Sequence, residues 1–115
     1  MSIADNLKRG TVELMLLTLI ADEEMYGYQL AQELEKRSSG KFTLQEGSLY
    51  PTMYRLEKRG YISSRTVTPE GSRRFRVYYK LTPAGADYLA EVRREYINLN
   101  SGIMQVLGIT SLDQE

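Results

Sequence analysis

Residues 47–60 have the sequence Gly-Ser-Leu-Tyr-Pro-Thr-Met-Tyr-Arg-Leu-Glu-Lys-Arg-Gly. Within this stretch Leu49, Met53 and Leu56 recur at helical spacing, so they share one face of a helix that packs into a core, and Gly60 is expected to end the helix. The other face is short and polar first and basic later: Ser48, Pro51, Thr52, Arg55, Lys58 and Arg59. Such a face suits a helix whose first turns contact base edges of DNA while its later cations contact phosphates. An ordinary amphipathic surface helix shows the same pattern.

The composition predicts one soluble domain without catalytic chemistry. The chain has 115 residues, of which 42% are hydrophobic and 26% charged, and it contains no Cys and no His. Disulfides, the usual zinc sites, thiol catalysis and imidazole acid–base catalysis are therefore excluded. An enzyme would need Tyr, Lys or paired carboxylates, and Glu33 and Glu35 point to different faces of their predicted helix. We expect no enzymatic activity and no cofactor.

The apolar segments are too short to place the chain in a membrane. The longest run, over residues 15–21, is far below the ~20 residues of a membrane-spanning helix, and no cationic-then-apolar leader opens the sequence. The sequence predicts a cytoplasmic protein.

The charges are unevenly distributed although the formal net charge is zero. Residues 47–80 contain 8 Lys/Arg and 2 Asp/Glu, a net of +6. Residues 1–46 contain 5 and 8, and residues 81–115 contain 2 and 5, so each of these flanks has a net of −3. A concentrated cationic segment can bind a polyanion while the acidic remainder discourages indiscriminate binding.

Two helices are predicted before this segment. Residues 11–21 are rich in Leu and Met and indicate a nearly buried helix capped near Thr11, and residues 25–37 indicate a second helix in which Gly27 permits close packing. Residues 2–9 are expected to form a short helix or arm. For the third helix, Thr43 and Glu46 fit a capping box, yet Pro51 favours a loose first turn at 45–48 and regular helix from about Ser48.

A β-hairpin is predicted after Gly60, where the pattern changes to period two. Strands are expected at 62–67 and 73–81, joined by a turn at 68–72. In the second strand Phe75, Val77, Tyr79 and Leu81 should face the core, while Arg74, Arg76, Tyr78 and Lys80 face outward. Arginines on an open face also protect a strand edge. Three helices followed by a basic hairpin, the wing, are the order of a winged helix-turn-helix.

The last predicted element is a long helix that begins at Thr82-Pro83 and ends at Gly108. Apolar side chains recur along it at alternating steps of three and four: Leu89, Val92, Tyr96, Leu99, Ile103 and Val106. This seam predicts a partner helix in a homodimer, or packing on the first helix of the same chain, or each along part of its length. The expected fold is mainly α with a small β-hairpin: a winged helix-turn-helix at 1–81, a C-terminal dimerisation helix at 82–107 and a flexible tail at 108–115.

Together the residues resemble the PadR-like transcriptional regulators. The resemblance rests on Tyr26-Gly27-Tyr28-Gln29-Leu30, on Gly47-Ser48-Leu49-Tyr50-Pro51 continuing to Arg55-Leu56-Glu57, on Gly60-Tyr61-Ile62, and on Arg74 to Tyr79 followed by Leu81-Thr82 and Gly85. It implies a dimeric winged-helix repressor with C-terminal helices swapped across the dimer, the third helix in the major groove, and the wing at the flanking minor groove or backbone.

Particular roles follow from the resemblance by position. Tyr26 would contact a phosphate; Ser48, Tyr50, Pro51, Thr52 and Arg55 would form the recognition segment; and Arg73, Arg74 and Arg76 would belong to the wing. The chain resembles the short subfamily with a single C-terminal helix. In some short members an aromatic residue, often Trp, lines a pore at the dimer centre where flat hydrophobic drugs stack, and Tyr96 occupies the matching place.

The leading hypothesis is a DNA-binding regulator, most simply a repressor, that binds a pseudo-palindromic operator as a homodimer and is released by a small aromatic effector. The alternative is a winged-helix module that uses its basic face for a protein partner or RNA.

Overall fold

The computed structural model describes residues 10–109, which form four helices and a three-stranded antiparallel sheet. In chain order the elements are α1 (Val12–Asp22), β1 (Met25–Tyr26), α2 (Gly27–Arg37), α3 (Glu46–Lys58), β2 (Ile62–Val67), β3 (Arg76–Leu81) and α4 (Pro83–Leu107). The predicted order of three helices, a hairpin and a C-terminal helix is confirmed. The arm predicted at 2–9, and the tail beyond Ile109, lie outside the described residues.

One strand was not predicted from the sequence. Met25 and Tyr26 were expected to begin the second helix, but they form β1, which pairs with Tyr79 and Tyr78 of β3 and gives the strand order β1-β3-β2. Met25 is fully buried in the core. Pairing with a strand that is distant in sequence therefore overrides the local helical pattern, and α2 begins only at Gly27.

The core lies between the first three helices and the inner face of the sheet. The predicted apolar face of α3 is confirmed, because Leu49, Met53 and Leu56 are fully buried. They join a cluster contributed by every element except α4: Leu16, Leu17, Leu19, Ile20, Met25, Leu30, Leu34, Leu49, Met53, Leu56, Ile62 and Tyr79. Burial of this apolar surface is the main force that holds the helices on the sheet.

Helix α3 begins two residues earlier than expected. Gln45 is the N-cap, and its carbonyl accepts the Leu49 N–H at 2.9 Å, so the helix is regular from Glu46. The N-cap makes no side-chain hydrogen bond, so the predicted capping box at Thr43 and Glu46 is wrong. Pro51 lies inside the helix, where it cannot donate a backbone hydrogen bond to the Gly47 carbonyl.

The wing differs from the prediction at its tip. Strand β2 has the predicted bounds, but β3 begins at Arg76, so Arg73 and Arg74 lie in the connecting loop. Ser72 Oγ accepts the Arg74 N–H at 3.1 Å and donates to the Arg74 carbonyl at 3.2 Å, which ties the loop to itself. The core ends at Val77, and the expectation that Phe75 faces the core is wrong, because the Phe75 side chain is 65% exposed.

A set of short contacts fixes the direction of α4 relative to the wing. The predicted N-cap is confirmed: Thr82 Oγ1 accepts the Gly85 N–H at 3.0 Å and donates to the Gly60 carbonyl at 2.6 Å. A Cβ added at Gly85 would lie 1.9 Å from the Tyr61 carbonyl oxygen, so only glycine fits there. The Tyr61 ring stacks on Tyr88 with centroids 4.1 Å apart. The start of α4 is thereby fastened to the end of α3 and the start of the wing.

Helix α4 packs on its own chain only in its first part. Tyr88 and Leu89 pack against the core, and α4 contacts α1, which confirms the same-chain packing that was left open from the sequence. Farther along, the seam residues Tyr96, Leu99, Ile103 and Val106 are exposed. Between Gly10 and Ile109, no helix combines the length and the hydropathy needed to cross a membrane.

Candidate nucleic-acid interface

The exposed face of α3 carries five of the ten residues predicted to contact DNA. Ser48, Tyr50, Pro51, Arg55 and Lys58 are all exposed, and they run from the first turn of the helix to its end. The face is therefore polar and free of large aliphatic side chains at its start and cationic at its end. This order matches the polar-then-basic pattern that the sequence predicted.

Thr52 is the exception, because it is buried with only 8% of its surface exposed. Its hydroxyl donates to the Ser48 carbonyl at 2.9 Å and accepts a hydrogen bond from Arg55 Nη2 at 3.2 Å. The expectation that Thr52 lies on the exposed face is wrong. Its spacing already contains the reason, since Thr52 follows Leu49 by three and precedes Leu56 by four and so shares their buried face. Thr52 orients the guanidinium of Arg55.

Tyr50 is held in place by the close approach of α2. A Cβ added at Gly27 would lie 2.5 Å from Tyr50 Oη, so the Tyr50 ring occupies the space that any larger residue would need. The close packing predicted at Gly27 is confirmed, and its partner is α3. Partial burial, and secondarily the Glu46 carboxylate, raise the pKa of the Tyr50 hydroxyl. Tyr50 therefore presents a neutral hydroxyl that can donate a hydrogen bond.

A group of alternating aromatic and charged side chains covers the outer face of the sheet beside α2. We call it the outer-sheet cluster; its members are Glu24, Tyr26, Arg65, Arg76 and Tyr78. The Tyr26 and Tyr78 rings lie 5.3 Å apart, Arg76 lies 4.5 Å above the Tyr26 ring, and Arg65 lies 5.0 Å above the Tyr78 ring. Tyr26 directly precedes Gly27, the residue against which the Tyr50 ring lies.

Glu24 and Arg65 are cluster members that the sequence analysis did not single out. Arg65 Nε donates to a Glu24 carboxylate oxygen at 2.8 Å, and Arg65 Nη2 donates to the other oxygen. This hydrogen bonding is the main cause that holds the pKa of Glu24 below its ordinary value. The contact depends on the pairing of Arg65 with Tyr78 across the hairpin, a register that the sequence pattern did not specify.

The cations of the middle segment fall into two groups. Arg59 and Arg65 form ion pairs, with Glu13 and Glu24 respectively. Within residues 10–109, the six others form no ion pair: Arg55, Lys58, Arg73, Arg74, Arg76 and Lys80. All six belong to the exposed end of α3 or to the wing. Their charges are uncompensated, which is the state that suits binding of a row of phosphates.

A second surface lies at the other end of the molecule. The seam side chains Tyr96, Leu99, Ile103 and Val106 are 44%, 62%, 56% and 88% exposed, whereas Leu89 and Val92 are half-buried. Beside Tyr96 is an open apolar groove of about 450 Å³ between α1, the end of α2 and α4. Its lining includes Leu14, Met15, Leu19, Phe42 and Ile97. Among residues 10–109, acidic side chains nowhere gather into a group that could hold a metal ion.

The sequence and fold are similar to those of known regulators. Residues 16–91 match the Transcriptional regulator PadR-like family. A transcriptional regulator of Mycobacterium tuberculosis is 39% identical over 87 residues, which are 76% of this chain and 77% of the relative. An uncharacterised protein of Lysinibacillus sphaericus is 32% identical over 96 residues, covering 82% and 85% of the two chains.

Solved structures of transcriptional regulators also have a fold similar to that of this chain. A transcriptional regulator from Clostridium thermocellum superposes with a TM-score of 0.80 at 28% identity, over 90% of this chain and 97% of the other. A PadR family transcriptional regulator from Eggerthella lenta also superposes with a TM-score of 0.80, at 30% identity over 91% and 88% of the two chains.

Proposed function

Because this chain belongs to the PadR-like family of transcriptional regulators, we propose that it represses transcription by binding a pseudo-palindromic DNA operator in the cytoplasm as a homodimer. The chain is a regulator of transcription and not an enzyme. The observation that carries the proposal is the set of exposed cations without ion pairs that α3 shares with the wing. A duplex supplies two rows of phosphates for such a surface.

In this proposal the two parts of the basic surface have different tasks. Helix α3 lies in the major groove, where Ser48, Tyr50, Pro51 and Arg55 contact base edges, while Lys58 contacts the backbone. Arg55 is suited to guanine because its guanidinium is already oriented by Thr52. The remaining predicted contacts bind phosphates or the adjacent minor groove, and they come from Tyr26, Arg73, Arg74 and Arg76.

Dimerisation is proposed through α4. Four seam residues remain exposed in the single chain, and an apolar stripe of this size on a long helix is typical of an interface. The C-terminal helices would exchange across a two-fold axis, which places two copies of α3 on one side of the dimer. Operator half-sites roughly 10 base pairs apart, centre to centre, follow from successive major grooves on one face of the duplex.

Release by a small aromatic effector is part of the same proposal. Tyr96 lies both on the exposed seam and on the rim of the apolar groove beside α1. A planar apolar molecule would stack on the Tyr96 ring and compete with, or shift, the packing of the partner helix.

Salt-dependent DNA binding tests the proposal. We would select a duplex from a random pool and measure its dissociation constant at several salt concentrations with the parent and with Arg74→Ala. The variant is expected to bind all duplexes less tightly, and the slope of log K against log salt should fall by about two units, because each protomer of the dimer loses one phosphate contact.

Arg37→Ala is the matched control, because Arg37 lies at the far end of α2 and is paired with Asp22 and Glu33. It removes one arginine without removing a proposed contact, so its slope should equal that of the parent. If the parent selected no duplex, or if Arg74→Ala left both affinity and slope unchanged, the alternative of a protein- or RNA-binding module would be favoured.

A further inference from the structure

Phe75 is a large apolar side chain that the fold leaves uncovered at the tip of the wing. Its side chain is 65% exposed, whereas Val77, two residues later on β3, packs against the core. The alternation of apolar side chains over residues 75–81 therefore extends one apolar position beyond the core, into the loop before β3. A phenylalanine that is mostly exposed gains little from burial, so the core does not require an aromatic ring at this position.

The residues that flank Phe75 in the sequence are cationic. Arg73 and Arg74 precede it, Arg76 follows it, and none of the three forms an ion pair within residues 10–109. Arg76 is directed along the sheet by its contact with the Tyr26 ring, and the Arg74 backbone is tied to Ser72. The loop thus presents one apolar ring within a concentrated positive charge, a combination that fits a surface where phosphates flank an apolar floor.

We propose that Phe75 enters the minor groove of DNA at the flank of each half-site and wedges against a base step while the neighbouring arginines bind the adjacent phosphates. The inference rests on the proposed function and adds a specific contact to it. The minor groove has phosphates on both rims, about 6 Å apart, and stacked base edges at its floor. Phenylalanine is among the apolar side chains that partly unstack a base step from the minor-groove side.

This contact selects DNA by deformability. Pyrimidine–purine steps such as TA unstack more easily than others, so the ring favours operators with such a step under the wing even though it makes no hydrogen bond to a base. Phe75 also contributes affinity without releasing counterions, because it carries no charge. Replacing Phe75 should therefore lower the affinity and leave the salt slope unchanged, whereas replacing an arginine should lower both.

The test uses the full-length protein, a duplex selected by the parent, and the variants Phe75→Ala, Phe75→Leu and Arg74→Ala. We expect Phe75→Ala to weaken binding roughly a hundred-fold at every salt concentration with an unchanged salt slope, because the dimer loses two aromatic–base contacts that contribute about ten-fold each. Phe75→Leu should retain most of the affinity because leucine also acts as a wedge. Thermal unfolding should be the same in all Phe75 variants, since the ring lies outside the core.

A base analogue, 2-aminopurine, reports unstacking directly. Placed at successive positions along the flank, it should brighten at one step with the parent and Phe75→Leu and stay quenched with Phe75→Ala. The chain has no Trp, so protein emission does not obscure this signal. Binding by Phe75→Ala within about two-fold of the parent, or an analogue that stays quenched at every position with the parent, overturns the wedge while leaving the proposed function intact. A parent without salt-dependent duplex binding overturns both.

Discussion

Thr52 illustrates how a buried hydroxyl can control an exposed cation. The side chain was predicted to contact bases, but the fold places it under the helix surface, where it accepts a hydrogen bond from Arg55. Arg55 stays exposed and charged, and the hydrogen bond to Thr52 restricts the rotation of its side chain. An orienting contact of this kind lowers the entropy that the long side chain loses when it binds a base.

We predict that Thr52→Val reduces sequence discrimination without changing the salt slope. Valine has nearly the same shape but cannot accept the Arg55 hydrogen bond, so Arg55 stays charged and becomes less well directed. Discrimination at the base pair that Arg55 contacts should fall by about 1 kcal/mol, the usual net value of one hydrogen bond. The measurement is the ratio of dissociation constants for the selected duplex and for duplexes changed at single positions.

Thr52→Ser is the matched control, because serine keeps the hydroxyl and removes only a methyl group. It should discriminate like the parent. Equal discrimination by Thr52→Val and by the parent would mean that the hydroxyl does not orient Arg55 on DNA.

At the residue scale, the exposure of most side chains of the candidate interface could be predicted from the sequence, whereas the exposure of Phe75 and the Glu24–Arg65 pair could not. Ser48, Arg55 and Lys58 follow from helical periodicity alone, which is a local property. Phe75 was assigned to the core because it continues the apolar alternation of Val77, Tyr79 and Leu81. A sequence pattern does not show at which residue the core ends. The Glu24–Arg65 pair depends on strand register across 41 residues, which is likewise a property of the folded chain.

At the scale of secondary-structure elements, the packing of α2 against α3 determines where Tyr50 lies on the exposed face of α3. The space beside Gly27 of α2, where a side chain would lie, is filled by the Tyr50 hydroxyl and ring edge. The Tyr50 ring is at the exposed end of its side chain and can rotate. A larger residue at position 27 would therefore displace the Tyr50 ring before it displaced the backbone of either helix. Changes in α2 can thus alter the exposed face of α3 that is proposed to contact DNA.

Gly27→Ala is therefore expected to weaken DNA binding more than it lowers stability. Its Cβ would lie 2.5 Å from Tyr50 Oη, so the ring must rotate away from its place on α3. The loss of a well-placed base contact corresponds to roughly 1–3 kcal/mol of binding free energy in each of the two half-sites, while helix propensity gains up to about 1 kcal/mol from the alanine. Binding isotherms and thermal unfolding separate the two effects.

A double-mutant cycle with Tyr50→Ala identifies the mechanism. If Gly27→Ala acts through Tyr50, it should cause no further loss in a chain that already lacks the Tyr50 ring. Additive losses would show instead that Gly27→Ala disturbs the packing of α2 itself.

Element types were more predictable than their boundaries. The strong periodicities of α1, α3 and α4 identified each helix. The two-residue strand β1 was missed because its only reason to exist is pairing with β3, and the start of α3 was displaced because Pro51 was assumed to require the first turn. In α3, burial of the apolar face stabilises the helix by more than the hydrogen bond missing at Pro51 costs.

On the scale of the whole molecule, the chain is more extended than a compact domain of its size. Its radius of gyration is 16.1 Å, compared with about 13 Å expected for a compact chain of this length. The longest dimension is 55 Å, and the 25-residue α4 contributes to it by continuing beyond the helices on which it starts. The heptad seam left this division open among its alternatives; in the fold Leu89 and Val92 are half-buried on the chain itself, whereas the later seam residues are exposed.

We predict that Leu99→Asp combined with Ile103→Asp converts a dimer into a folded monomer. Both side chains are more than half exposed in the single chain, so aspartate there does not enter the chain's own core, whereas a dimer would have to bury four carboxylates along its seam. Sedimentation should give one chain per particle, and circular dichroism should show the helical content of the parent.

The matched control is Ala90→Asp with Asn98→Asp, which adds two aspartates at exposed positions of α4 outside the seam. It should remain dimeric at the concentration where the seam variant is monomeric. Because operator affinity in the proposal depends on two linked half-sites, the seam variant should also bind a single half-site about as well as the full palindrome, while the control prefers the palindrome. An unchanged dimer of the seam variant would exclude this part of α4 from the interface and would direct attention to the other exposed apolar side chains, Ile97 and Leu107.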